Sequence, residues 1–302
     1  MTRNGKVTAG IALCTVIGMS LTGCDEAPEA ASAPQTGTST TTASTAAAPF
    51  SGKVDVDGKS VQVSCTGERA EGRPVVILLH GGGDDLTTFA DLQKTLSEKD
   101  MVCAYDRLGA GTSDKPGGPQ SFEDSGTVLT AVIDKVAGDE PVVLAGHSLG
   151  GLIAGRYAPD NKDRVAGLVL MDATSPTQLA DLKAVVPDDA TGPGADLKAR
   201  TIAALDGKNP EQLVTPDGDV GSAGDIPVEV ISHGQQFIAE SVPEYGEGME
   251  KAWSEGQRQW LGLSSAAKLS IAAKSGHYIY RDEPDVAVRA IQDVVALAAD
   301  NG

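Results

Sequence analysis

Hydrophobic and polar residues alternate over residues 53–56 and 60–65, with Asp57-Gly58 between the two runs. Alternation on both sides of a residue pair that favours left-handed turns predicts a β-hairpin. Six further runs follow at 75–79, 101–105, 142–145, 165–171, 228–232 and 268–273. They read as strands buried on both faces of a parallel sheet. Helical patterns separate them. Residues 86–99 bring Phe89, Leu92 and Leu96 together, and Ser121 with Asp124 three residues on makes a capping-box-like start. Helices are also expected at 152–158, 248–263 and 284–299. A hairpin followed by strand–helix alternation predicts a doubly wound α/β sheet.

Two parts of the chain fall outside this alternation. Residues 173–225 fit no strand; weak amphipathic helices at 177–186 and 195–205 sit between Pro and Gly clusters. An insertion of that length is expected to be a lid or binding element. The start of the chain is a basic stretch, 1–6, followed by an apolar run to Leu21. That run is shorter than the roughly 20 apolar residues of a spanning helix, and residues 1–23 read as a signal peptide. Its end, Leu21-Thr22-Gly23-Cys24, resembles the bacterial lipobox. The resemblance implies that Cys24 is lipidated, by palmitate among other chains, and anchors the protein outside the cytoplasm on the bacterial cell membrane. An ordinary cleaved signal with an incidental cysteine is the plainer alternative. Residues 24–50, rich in Ala, Thr, Ser and Pro, cannot bury enough apolar surface to order themselves and read as a tether. Residues 51–302 remain for one folded domain.

Charge narrows the partners. With 24 basic and 42 acidic residues the formal charge is −18, which repels phosphate backbones and anionic lipid surfaces. Nucleic acid is excluded as a partner, and the membrane contact is expected through lipid on Cys24 rather than a basic patch. Beyond Cys14 and Cys24, Cys65 and Cys103 form an even pair suited to an oxidising compartment, with no metal-ligand spacing around them.

The chemistry concentrates in two glycine-rich segments. Gly146-His147-Ser148-Leu149-Gly150-Gly151 follows a strand and leads into a helix, the setting of a nucleophile elbow with Ser148 exposed at a helix N-terminus. His80-Gly81-Gly82-Gly83 follows the strand at 75–79 and is similar to the oxyanion loops of esterases. The expected donors are the backbone amides of Gly82 and Leu149. Four histidines are available as general base. His80 opens the oxyanion loop, His147 adjoins the nucleophile and His233 ends a strand. His277, in Ser275-Gly276-His277 after the last strand, is the expected base, with His233 a lesser competitor.

These segments, in this order and together with Tyr105-Asp106-Arg107-Leu108-Gly109-Ala110-Gly111-Thr112-Ser113, resemble the α/β-hydrolase superfamily. The resemblance implies an α/β-hydrolase fold: a mostly parallel eight-stranded sheet in order 1-2-4-3-5-6-7-8, flanked by helices, with the insertion after strand six as a lid. In most relatives the triad acid follows strand seven, where this chain has no carboxylate before Glu240. Some superfamily members, certain haloalkane dehalogenases among them, carry the acid at the end of strand six, and the same position here is Asp172. Asp172 is the expected acid and Glu240 the alternative. Asp106 reads as a loop brace. The implied strand order makes the strands of Cys65 and Cys103 neighbours and predicts a disulfide, with two buried thiols the alternative.

The expected activity is acyl transfer from a small-molecule carboxylic ester to water through an acyl-enzyme, needing neither metal nor organic cofactor. Leu179, Leu182, Val185, Val186, Leu197 and Ile202 of the insertion offer an apolar lining suited to a small or aliphatic acyl group. Trp253 and Trp260, seven apart on one helix, read as core packing. An aminopeptidase or amidase of the same superfamily, or a ligand-binding lipoprotein with a vestigial site, are the rival readings.

Overall fold

The computed structural model describes residues 50–301; the expected signal peptide, Cys24 and all but the last residue of the expected tether lie outside the described residues. Strands β1 (Ser51–Val56) and β2 (Lys59–Thr66) pair antiparallel about Asp57 and Gly58. Both turn residues take positive φ, 51° and 77°, as the tight hairpin turn demands. The other strands are β3 (Val76–Leu79), β4 (Val102–Tyr105), β5 (Val142–His147), β6 (Val165–Met171), β7 (Val228–His233) and β8 (Ala267–Ala272). They form one eight-stranded sheet in the order β1-β2-β4-β3-β5-β6-β7-β8. β2 runs antiparallel to β4, and the pairings from β4 through β8 are parallel.

The central strands are buried on both faces because helices cover both. On β3, Ile77 and Leu79 join a core with α2 (Phe122–Ala137) and α3 (Leu149–Tyr157). Val76 and Leu78 point the other way, towards α1 (Ala90–Leu96) and the last helix (Pro284–Asn301). Such two-sided burial explains the unbroken apolar runs. The capping box at Ser121 and Asp124 forms as expected at the start of α2.

Helix boundaries depart from expectation where tighter turns intervene. The segment read as a helix over 86–99 opens with a 3₁₀ turn at Leu86–Phe89 before α1 begins. Within the insertion lie α4 (Gln178–Val185) and α5 (Pro193–Leu205). Next come α6 (Phe237–Ser241), which periodicity missed because it is barely one turn, and α7 (Gly246–Gln259). A 3₁₀ turn at Trp260–Leu263 completes the segment read as one helix over 248–263. The short α8 (Ile279–Asp282) precedes α9 (Pro284–Asn301). Leu182, Val186, Val242 and Met249 make a small apolar cluster of their own, which binds α4 to the α6–α7 segment.

Cys65 and Cys103 are directly paired across β2 and β4 and form a disulfide. They are 38 residues apart, so the bond restricts a sizeable loop in the unfolded chain. Replacing both cysteines by serine is expected to lower unfolding stability by about 2–4 kcal/mol, read from urea denaturation. Alkylation of the native protein without reductant should leave both positions unlabelled.

Candidate active site

Ser148 sits between β5 and α3 with φ 50° and ψ −118°, a conformation that costs a residue with a side chain about 1–3 kcal/mol. The elbow is tightly packed from beneath. A Cβ on Gly146 would stand 2.4 Å from the Gly150 carbonyl oxygen, and one on Gly150 would stand 2.1 Å from that of Leu79. Glycine at these two positions lets the start of α3 pack directly against the end of β5 and the end of β3. Ser148 Oγ lies 3.5 Å from Thr174 Oγ1, a neighbour that sequence reasoning did not single out.

Asp172 leaves the end of β6 with φ 49°, its N–H donating to the Ile231 carbonyl at 2.7 Å. Its side chain is wholly buried. Oδ2 accepts from His277 Nδ1 at 2.6 Å, and Oδ1 accepts from Trp253 Nε1 at 2.9 Å. His233 contributes its backbone N–H and its Nδ1 as well. Burial pushes this carboxyl up, but the hydrogen bonds from His233 and His277 prevail and hold it well below the usual carboxylate range. Glu240 lies exposed on α6, and the carboxylate beside His277 is that of Asp172.

The structure gives each remaining histidine a structural partner. His233 has both ring nitrogens engaged by carboxylates, Asp172 and Glu250, and so has no free nitrogen for Ser148. His147 packs its ring 4.5 Å from that of His277. Burial depresses His147 to about 3, so the ring is neutral and its Nε2–H donates to the His277 carbonyl at 3.0 Å. His80 is likewise held neutral by burial and by Arg107, with Nδ1 donating to the Gly81 carbonyl at 2.8 Å.

Arg107 braces the expected oxyanion loop. It donates to the carbonyls of His80 at 2.6 Å and Gly81 at 2.9 Å. It also makes a buried two-point ion pair with Glu211, at 2.7 and 3.0 Å, which joins the end of the insertion to this loop. Asp106 braces its loop as expected, accepting from the backbone N–H groups of Leu86 and Thr112 at 2.7 and 2.9 Å. Gly82 and Leu149 lie side by side; a Cβ on Gly82 would stand 3.5 Å from Leu149 Cδ2.

Ser148, His277, Gly82 and Leu149 line one cavity of about 660 Å³. Its walls include Leu182, Val185, Leu197 and Leu205 from the insertion and Met249 and Trp253 from α7. Leu179, Val186 and Ile202 do not line it, and Val186 is instead in the cluster that binds α4 to α7. Trp260 is core, fully buried against Gly155. Trp253 corrects the packing reading: its indole N–H holds Asp172 and its ring meets that of His277 edge-on at 5.5 Å. Among the described residues, no group of three or more His, Cys, Asp or Glu is placed to hold a metal ion.

The model of a family described as having the alpha/beta hydrolase fold matches residues 74–205. An uncharacterized protein of Mycobacterium tuberculosis is 35% identical over 108 residues, which are 35% of this chain and 30% of that protein. The human (lyso)-N-acylphosphatidylethanolamine lipase is 28% identical over 152 residues, covering 49% of this chain and 43% of the lipase. The chain thus spans less than half the length of these two curated relatives. The carboxylesterase CesB of Bacillus subtilis shares the fold, with TM-score 0.55 and 16% identity over 82% of this chain and 91% of that one. The family model thus covers residues 74–205 of the chain, and the solved structures, at 20% identity or less, share its fold.

Proposed function

We propose that the protein is a serine hydrolase that cleaves a carboxylic ester with an aliphatic acyl group, using Ser148, His277 and Asp172. The observation that carries the reading is the 2.6 Å contact between Asp172 and His277, beside a strained serine that opens into the same apolar cavity. A hydrogen bond from Nδ1–H to a buried carboxylate sets the tautomer that leaves Nε2 free to accept a proton. His277 takes the Ser148 proton as Oγ attacks the ester carbonyl. The oxyanion forms against the amides of Gly82 and Leu149, each donor contributing about 3 kcal/mol in the transition state. Protonated His277 then gives its proton to the leaving alcohol, and water releases the acyl group by the same steps in reverse order.

The insertion walls support an acyl site, since its apolar volume lies within the range of small-molecule pockets. In this reading residues 173–225 act as a lid over the acyl group. The lipase and carboxylesterase among the similar proteins agree with ester chemistry. The lipobox-like end of the signal completes the reading: lipid on Cys24 tethers an extracytoplasmic domain to a membrane. Among the described residues no helix is long and apolar enough to cross one.

Ser148→Ala and His277→Ala should each lower kcat for p-nitrophenyl esters by at least about 10⁴-fold. Ser148→Ala should also abolish labelling by a fluorophosphonate probe; full hydrolysis by that variant would refute the assignment. Along a series of acyl chains from acetate to octanoate, kcat/KM should rise about fourfold per methylene until the cavity fills, from about 0.8 kcal/mol per buried CH₂. A flat or falling series would remove the acyl-site reading of the cavity.

A further inference from the structure

The end of β7, where most α/β-hydrolases place the triad acid, carries a histidine here, and that histidine faces the acid on β6. His233 is buried, with Nδ1 2.9 and 2.8 Å from Asp172 Oδ1 and Oδ2. Its other ring nitrogen lies 2.9 Å from Glu250 Oε2 on α7. A carboxylate only accepts, so a ring between two carboxylates satisfies both only when both its nitrogens carry protons. Glu250 is itself fixed in place, its Oε1 accepting from the Ile238 N–H at 2.8 Å.

We infer that His233, held as an imidazolium between Asp172 and Glu250, is a positioning residue for the proposed hydrolysis, keeping Asp172 Oδ2 aligned on His277. The inference rests on the Ser148–His277–Asp172 reading. Asp172 receives one donor from His277 and its remaining donors from β7 and α7. Trp253, three residues beyond Glu250 on α7, supplies one of them. The His233–Glu250 pair fastens α7 to β7, and so holds the Trp253 donor in place as well. A neutral His233 that still donated to Asp172 would turn its bare Nε2 lone pair on the Glu250 carboxylate. The pair would then repel, and Asp172 would lose the frame that orients it.

The titratable groups facing His233 are Asp172 from β6, Glu250 from α7 and, across Asp172, His277 from the loop after β8; α6 presents the Phe237 ring. Burial disfavours the charged ring, but Asp172 and then Glu250 outweigh it and hold His233 above the ordinary imidazole value. The ring therefore keeps its charge to a higher pH than a free imidazole does. Its contribution is lost as pH rises through that raised value, which places a decline in kcat on the alkaline side.

The test compares kcat and KM of the full chain with its His233→Gln and Glu250→Gln variants across pH 6–10, using p-nitrophenyl esters. His233→Gln should lower kcat at pH 7 about ten- to a hundredfold with KM within threefold, the scale of a slightly misplaced catalytic group. Its profile should also lack the alkaline decline of the wild type. Glu250→Gln, whose amide can donate to a neutral ring, should keep more of kcat than His233→Gln and lose the same decline. A wild-type kcat and profile in His233→Gln, or a lower kcat with the wild-type profile shape, would overturn the inference. Nitrogen-15 NMR of the histidine rings gives a reading that needs no variant to fold: both His233 nitrogens should be protonated at pH 7.5, and a neutral ring sinks the proposal. Failure of the wild type to cleave any ester or react with a fluorophosphonate would instead sink the hydrolase reading, and the NMR result would still stand on its own.

Discussion

A carboxylate with no exposure to solvent organises this molecule. Moving an ionised group out of water costs several kcal/mol unless hydrogen bonds replace its hydration shell. Asp172 receives those bonds from four donors on three parts of the chain: two from His233, one from Trp253 and one from His277. Each element that reaches the carboxylate is thereby fixed relative to the others. β7, α7 and the loop after β8 meet at one point because the charge requires them there, and the cavity takes its shape from where they meet.

A second buried charge pair lies at the cavity, which Glu211 helps to line. Arg107 and Glu211 neutralise each other, and the spare guanidinium donors satisfy the His80 and Gly81 carbonyls. The parallel bridge between Gln120 and Leu213 holds the same stretch of the insertion against the sheet domain. The part of the insertion nearest the expected oxyanion loop is thus anchored. Helices α4 and α5, upstream of it, bear on the rest of the molecule chiefly through apolar contacts to α7 and the loop before it.

The residues legible in the sequence are those whose local pattern is dictated by backbone geometry. Ser148 announces itself through the glycines that allow its turn, and the order of the strands follows once the superfamily resemblance is recognised. Asp172 was less legible because a carboxylate at the end of β6 and one after β7 can reach the same histidine, and spacing does not rank them. Glu240 falls away on a fact of packing: it is on the exposed side of a one-turn helix. Trp253, Glu250 and Glu211 left no usable signal. Tryptophans seven apart look like a packing stripe, and a glutamate on an amphipathic helix looks like a solvated face until tertiary structure turns it inward. The three-residue spacing of Glu250 and Trp253 puts them on one side of α7, but nothing local says that this side faces a buried acid.

The two charge networks have a consequence for how the protein comes into being. Asp172 and His277 are 105 positions apart, and Arg107 and Glu211 are 104 apart. Contacts at such separations form late, because the loops they close must first be ordered. A chain whose sheet is only half assembled has Ser148 but neither of these ionic pairs. The surroundings of Ser148 are then a property of the completed tertiary structure alone, and no local stretch of chain can supply them.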